Sequence, residues 1–491
     1  MQDVLRADYR KEMLDEILGD ENRSRKAESF RRSEIYNKRQ APYVEQALKD
    51  EGFSDESVAD MRKITSINIA PRVVDKLAPL YQEAPERTFS TESGEPMSED
   101  SINIIEEHYD AAAVNTKLLR ANRIKKFQNQ AIAQVVPVKS KGIIDLRVYQ
   151  PHQIDCIPLD SDPEVPYCFI VSAFDRALAL SGGDMIDQKI SDRNDGEGPA
   201  RSKMRFVWWT DENNFITDGN GNIIGDSGDV LNPIGVMPFV DISDEKENEF
   251  WVRKGSSVID FAIDFAVVLS DTANINRLQG YAQPIISSAE KPKTMHFGPN
   301  EAIWLQLDPN ATVQPSFAFA NPSPDMSAAL DLQDRLVNYF LSSEGLDTGV
   351  VSSKGEIQTY SSGYERMLAM IEQFGPAKQD VDVFEGVEQK IYDLFVKWIN
   401  HYAGTTINNP LMIQGPAIPE GGEVHVNYQR PQAVQSKTEI QTSEIKMLES
   451  GLRSKAQALA NIDGITQEEA MSRLSEIEPA IEPQDQSGMN V

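Results

Sequence analysis

The chain has 491 residues, 40% hydrophobic and 25% charged, which is ordinary globular content, sets it apart from disordered chains and provides length for two or more cores. Its formal net charge of −29 argues against a protein that wraps nucleic acid in a basic surface, because neutralising phosphates needs clustered Lys and Arg. Nucleic acid that passes by without being held stays compatible with that charge, and so does plain self-repulsion between dispersed molecules.

The first residues, MQDVLRADYRKEMLDEILGDE, alternate charges and lack the apolar core of a signal peptide, so a soluble, cytoplasm-made chain is expected. Helical periodicity covers 3–18, 22–50 and 54–63, with Gly52 as a break. In SINIAPRVVDKLAPLYQEAPERTFS (66–90), Val73, Val74, Leu77 and Leu80 keep helical spacing, and the helix is expected to stop before Pro85. Residues 98–132 read as one long helical run with Ile104, Ile105, Tyr109, Leu118, Leu119, Ile124 and Phe127 on its buried side.

From 134 to 242 the period shortens to that of strands. The segments AQVVPVKSKGIIDLRVYQPHQIDCIPLD, YCFIVSAFD, MRFVWWTDENNFITDGNGNIIGD and GVMPFVDI, punctuated by Pro, Gly and Asn-Gly, predict an antiparallel β-rich unit of about a hundred residues. Cys156 and Cys168 fall inside it. Two cysteines without a nearby histidine cluster make neither a zinc site nor a disulfide framework, and two buried, reduced thiols are expected. The turn DGNGNIIGD (218–226) has some likeness to a calcium loop, but Ile223 stands where that loop requires glycine, so a hairpin turn is the reading. DSDPE (160–164) offers carboxylates to a cation. A solvated loop is the plainer account in so acidic a chain.

The most apolar helix, SSVIDFAIDFAVVLSDTANINRLQG (256–280), is broken by Asp260, Asp264 and Asp271, which excludes it as a membrane span. The next stretch, 281–324, is irregular and partly β, carries the basic pair Lys291 and Lys293, and is too small to hold a core of its own, so it is expected to lean on neighbouring chains. A second helix, 324–343, places Met326, Ala329, Leu330, Leu336, Val337, Phe340 and Leu341 on one face. Residues 344–361, EGLDTGVVSSKGEIQTYS, then form a long polar bridge with glycines at 345, 349 and 355, where most connections are far shorter. Helical spacing resumes at Tyr364, Met367, Leu368, Ile371 and Phe374, and again at Phe384, Val387, Ile391, Leu394, Phe395 and Trp398. Gly375 and Pro376 lie between the two runs, and proline's missing donor predicts a sharp bend there. A strand, GEVHVNYQRP (422–431), and charged helices ending in an acidic Pro/Gln tail complete the chain.

No phosphate loop, nucleophile elbow or His-Glu-x-x-His helix occurs. The five histidines (108, 152, 296, 401, 425) sit in five separate elements and read as packed or surface residues. No catalytic, metal or cofactor site is expected. Two helices that bracket a small irregular tip, the first about 35 Å long at 1.5 Å per residue, describe a stalk whose tip cannot bury itself. Such a protomer suits a closed ring.

An ordered series of motifs carries a resemblance: INIAPRVVDKLAPLYQEAPER (67–87), LNPIGVMPFV (231–240), VIDFAIDFAVVLSD (258–271), SSGYERML (361–368) and VNYQRP (426–431). In this series, which spans nearly the whole chain, the sequence resembles the portal proteins of tailed double-stranded DNA bacteriophages, the head-tail connectors through which DNA is packaged and ejected. One departure is Glu365, where members often carry a small residue. The resemblance implies an α+β, mainly helical portal fold and a non-enzymatic role. It implies a wing over 1–255 that contains the β-rich unit 134–242, a stem helix at 256–280, a clip at 281–323 and a second stem helix at 324–343. A tunnel loop at 344–361 would follow, then 362–435 returning to the wing through the kinked helix and a strand, and a short crown and tail at 436–491.

The same resemblance implies a homododecameric ring at one capsid vertex of the virion, assembled in the host cytoplasm, with no membrane. Its partners would be double-stranded DNA in the channel, the terminase large subunit, the major capsid protein, a scaffolding protein and head-completion or adaptor proteins. The tunnel-loop residues would be Gly349, Val350, Val351, Ser352, Ser353, Lys354, Gly355, Glu356 and Gln358. In the clip, Phe297 and Trp304 would hold the lower ring contact and Lys291 and Lys293 would face partners; local packing and solubility is the alternative. An acidic lining suits a conduit, since a basic one would hold DNA and slow it. Lys354 offers a transient contact beside Glu356, or both are solvated charges. The other classes weighed are a packaging ATPase or nuclease, which needs a phosphate loop or carboxylate metal cluster on a parallel sheet, and a capsid scaffold without a channel.

Overall fold

The computed structural model describes residues 3–61, 67–138, 141–174, 204–224, 230–279, 283–287, 316–320, 326–346, 375–403 and 417–428, with 441, 444–448, 454–463, 471 and 473 near the end. Contacts divide the chain into two units, Met1–Glu344 with Pro376–Tyr428, and Gly345–Gly375 with Gln429–Val491. The fold is α+β and mainly helical. No helix among the described residues is long and apolar enough to cross a membrane.

The N-terminal helices are α1 (Ala7–Ile17), α2 (Asp20–Tyr36), α3 (Ala41–Asp50) and α4 (Asp55–Met61). The single run expected over 22–50 is therefore two helices. Lys38 adopts a left-handed φ of 64°, and Pro42 lies in the first turn of α3, where its missing N–H costs nothing, but it could not continue α2. Gly52, at φ 97°, breaks the chain as expected. Helix α5 (Ala70–Leu77) buries Val73, Val74 and Leu77 but ends before Pro79, not Pro85, because the residue ahead of a proline is pushed out of the helical region. Strand β1 (Glu86–Ser90) follows, beyond the expected end of the helix, where no strand was expected.

The run expected over 98–132 divides into α6 (Glu99–Ala111) and α7 (Val114–Gln128), joined through Ala113 at φ 51°, and its last residues enter a strand. Asn129, left-handed at φ 65°, closes α7 in the manner that asparagine tolerates. Ile105, Tyr109, Leu118, Ile124 and Phe127 are buried as expected, and Ile104 and Leu119 are half-buried.

Seven strands follow: β2 (Gln130–Val138), β3 (Ile143–Tyr149), β4 (Ile154–Leu159), β5 (Asp162–Phe174), β6 (Met204–Trp209), β7 (Asn214–Asp218) and β8 (Phe239–Ser243). They form two antiparallel sheets, ordered β3-β2-β8 and β4-β5-β6-β7. Successive residues of β5 point to opposite faces. Ile170 joins Leu14 and Ile17 of α1, Ile157, Phe206 and Trp208 on one side, while Phe169 joins Ile132, Ile154 and Phe250 on the other. Both faces are thus buried, which is why YCFIV reads as an unbroken apolar run. Cys168 is buried and Cys156 half-buried, and both are free. The 218–222 turn is a hairpin: Asn220 N and Asn222 N both donate to Asp218 Oδ1 at 2.9 Å, and Thr217 bridges to Ile223. Of the 160–164 segment expected as a loop, only 160 and 161 form a turn and 162–164 begin β5, where Glu164 O accepts from Lys246 Nζ at 3.0 Å.

His152 is held against the edge of Phe30, with Ser29 Oγ 3.0 Å from its Nδ1. Burial first, then the charges of Arg25 and Lys26, push its pKa down to about 4 from the ordinary 6.5. Between those values the unfolded chain binds the extra proton. The stability from keeping His152 neutral is therefore complete above about pH 6.5 and is lost as pH falls towards about 4, by about 3 kcal/mol in all. Chemical denaturation of a His152→Gln chain at several pH values should show a shallower acid decline than the parent. Parallel declines would contradict this account.

Candidate functional site

Helix α8 (Ser257–Gln279) leads into β9 (Gln283–Ser287), and the chain returns through β10 (Ser316–Ala320) into α9 (Met326–Ser343). The two limbs keep one antiparallel register. At the base Ser257 Oγ donates to Glu344 Oε1 at 2.6 Å, and the rings of Phe261 and Phe340 stack at 4.0 Å and 9°. Further out Gln333 Nε2 donates to Thr272 Oγ1 at 2.6 Å, and β9 and β10 pair from Gln283↔Ala320 to Ser287↔Ser316. Helix and strand segments thus make one two-limbed arm.

Its base is anchored. Val258, Ile259, Ala262, Ile263, Ala266 and Val267 of α8 are buried, with α8 packing on α2, α3 and α5, and Phe340 and Leu341 of α9 are buried too. Beyond the base the arm opens to solvent. Leu330 (54% exposed), Leu332 (55%) and, nearer the base, Tyr339 (71%) present apolar surface to solvent. Leu330, expected on the buried face, is thus on the outside. The arm's helices carry Asp260, Asp264, Asp271, Asp331 and Asp334 against Arg277 and Arg335. Arg31 meets Asp260 at 3.4 Å, and burial, then the charge of Asp260, raises the pKa of Asp264. The surface is therefore acidic.

The chain re-enters the first unit through α10 (Gly375–Tyr402), which is tied down by two buried carboxylates. Asp380, 1% exposed, lies 3.1 Å from Lys125 Nζ and 2.7 Å from Lys126 Nζ of α7, and Lys125 also bonds Asp244. Glu388, fully buried, takes Arg87 Nη2 at 2.6 Å and Arg87 Nε at 3.1 Å, and accepts from Tyr81 Oη at 3.0 Å. The Tyr81 and Tyr428 hydroxyls lie 2.9 Å apart. Trp398 Nε1 donates to Val135 O at 2.9 Å. Strand β11 (Glu423–Asn427) then pairs antiparallel with β1, and at its start Gly422 leaves no room for a side chain: a Cβ would sit 2.6 Å from Tyr392 Oη and 2.7 Å from Ser90 O. In the second unit, α11 (Lys455–Asp463) begins in a reciprocal cap, with Ser454 N donating to Gln457 Oε1 and Gln457 N to Ser454 Oγ.

The residues predicted for the tunnel loop (349–356 and 358) and for the clip (Lys291, Lys293, Phe297, Trp304) lie outside the described residues. Gly375 and Pro376 open α10; the 362–374 run on the other side of the predicted bend also lies outside them. Asp380 and Glu388 were not anticipated, although a signal existed. They fall four residues either side of Phe384, on the apolar stripe of the helix, where a carboxylate must find a partner.

A cleft of about 490 Å³ lies between α2 and the 249–253 segment. There Asp155 accepts from Asn22 at 2.8 Å, Arg25 at 3.0 Å and Lys26 at 2.6 Å, and Arg25 lies 4.0 Å over the Trp251 ring. Asn22, Arg25 and Lys26 together satisfy the Asp155 carboxylate. Among the described residues no cluster of His, Cys, Asp or Glu could hold a metal.

The geometry defines an α+β chain with an anchored, acidic, two-limbed arm. No protein-family model and no curated protein matches its sequence. Among solved structures it is similar, at 11% identity and a TM-score of 0.42, to a chain in the virion of a native gene transfer agent particle, with 84% of this chain and 94% of that chain covered. A chain in the neck of an empty gene transfer agent particle, computed with C6 symmetry, matches at 11% identity and a TM-score of 0.41 with the same coverage.

Proposed function

We propose that the chain is a portal protein that forms the ring channel at one vertex of a phage-type capsid, passes double-stranded DNA and docks the packaging motor and then head-completion proteins. The carrying observation is the arm: two helices and two strands in one antiparallel register, anchored at the base and exposed beyond it. An arm of this kind gains stability by packing beside copies of itself, and Leu330, Leu332 and Tyr339 supply the apolar surface for that. In this reading α8 and α9 are the stem, 281–323 the clip, and 344–361 the loop that narrows the bore. The acidic arm fits a conduit that repels phosphate. All four described sheets are antiparallel, which favours this reading over a packaging ATPase built on a parallel sheet.

Multi-angle light scattering of the purified chain tests the proposal. The expected mass is that of a closed ring, with twelve protomers by the resemblance; a folded monomer at every concentration would contradict it. Lys291→Glu with Lys293→Glu should leave that mass unchanged and weaken capture of the terminase large subunit. Loss of the ring in this variant would remove those lysines from the docking role.

A further inference from the structure

Helices α5 and α7 depart from the acidic character of the chain. Helix α7 carries Lys117, Arg120, Arg123, Lys125 and Lys126 and no acid, and α5 adds Arg72 and Lys76 against Asp75. The lysines of α7 are paired, Lys117 with Asp145, and Lys125 and Lys126 with Asp380. Its arginines lie on the other side. Arg123 meets Asp75 at 2.8 Å, which holds α5 beside α7. Asn68, just ahead of α5, donates to Ile35 O at 2.6 Å, and the neighbouring Tyr36 stacks on Phe127 near the end of α7. The two helices therefore run antiparallel, and Lys76, beyond Asp75, lies towards Arg120, one turn ahead of Arg123. Lys76 and Arg120 are exposed, with no ion-pair or hydrogen-bond partner among the described residues. Helix α6 is the reverse. Its Glu99, Asp100, Glu106, Glu107 and Asp110 are exposed, it has no Lys or Arg, and none of these acids has an ion-pair partner among the described residues. Its inner side holds Ile105 and Tyr109, the latter 5.0 Å from the Phe395 ring of α10, so the acids face solvent.

One protomer thus leaves a basic face and an acidic face unpaired. We propose that the α5–α7 face docks the α6 face of a second copy of this chain, head to tail around the ring. The inference rests on the ring reading given above and adds to it the surface that sets the order of the protomers. A head-to-tail contact needs two different, complementary patches on each subunit, and these two faces are such a pair. Apolar surface on the arm favours association in any orientation, whereas opposite charges draw the α6 face to the α5–α7 face and like faces repel. Duplex DNA is the competing polyanion. The net charge of −29 repels it, and Asp75 among the cations weakens the face for phosphate, while the acids of α6 lie on every copy.

Charge reversal tests this on the full chain, with light scattering for assembly and urea denaturation to follow folding. One variant carries Lys76→Glu with Arg120→Glu, the other Glu106→Lys with Asp110→Lys, all at exposed positions. Each alone should need about tenfold more protein than the parent to reach the ring mass, because each sets like charges face to face. An equimolar mixture of the two should recover the parent's behaviour, since each reversed face then meets the other. A single chain with all four substitutions should recover it too, whatever the number of protomers in the ring. Parent-like assembly of both variants alone, or a defect that neither the mixture nor the combined chain repairs, would overturn the proposal and leave the parent's ring standing. A parent that stays monomeric at every concentration would overturn ring and interface together. Duplex DNA retained by the parent and lost from the Lys76→Glu, Arg120→Glu variant at an unchanged ring mass would give the face to DNA and overturn the proposal as well.

Discussion

Replacing Glu388 with alanine is expected to lower the unfolding free energy by about 3–5 kcal/mol, the range for removing one partner of a buried ion pair. The carboxylate is fully buried and receives three hydrogen bonds, two from Arg87 and one from Tyr81. Burial alone would lower the Arg87 pKa, but the hydrogen bonds and charge of Glu388 more than reverse that, so the guanidinium stays charged. Alanine would leave that cation buried beside the Tyr109 ring, 5.4 Å away, with its main partner gone. Glu388→Gln should lose less, because an amide oxygen still accepts. Replacing both members, Arg87→Met with Glu388→Leu, should recover most of the loss, since an apolar pair does not have to be stripped of water. Urea denaturation of the three variants measures these differences. A cost below about 1 kcal/mol for Glu388→Ala would show that α10 is held by its aromatic packing and not by this network.

Deleting residues 350–358 should have the largest functional effect. In the proposed ring this segment lies in the bore, so its removal should leave protomer stability and ring mass almost unchanged while sharply reducing packaged or retained DNA. The thermodynamic side follows from loop closure, where each doubling of length changes the cost by only about 0.6 kcal/mol. Denaturation and light scattering report on the first half of this prediction, and nuclease-protected DNA in assembled particles reports on the second. Full packaging by rings that lack the segment would remove it from the channel, and a failure to fold would make it a structural connector.

The sequence carried the parts of this fold that rest on local periodicity. Helices α8, α9 and α10 were legible because apolar residues recur along each, although Leu330 of α9 proves exposed, and the β-rich unit because its strands alternate or run apolar between turns. Strand β1 was not legible, since its partner β11 comes from the other end of the chain: Glu86 pairs with Asn427. The break between α6 and α7 had no local signal either. Ala113 is a good helix former, and its left-handed conformation is imposed by where the two helices must pack. The end of α5 was misplaced for another reason. Two prolines were available as stops, and the nearer one, Pro79, acted. The arm was anticipated as two helices around a tip, but its common register depends on contacts such as Ser257 with Glu344 that periodicity does not encode.

Electron microscopy of the purified chain, viewed down the particle axis, tests the central claim most directly. The account predicts closed rings with a central channel, in which α8 and α9 of each protomer stand beside those of the next and residues 344–361 point inward. Particles without rotational symmetry, or rings in which α8 and α9 make no contact with neighbouring protomers, would contradict it.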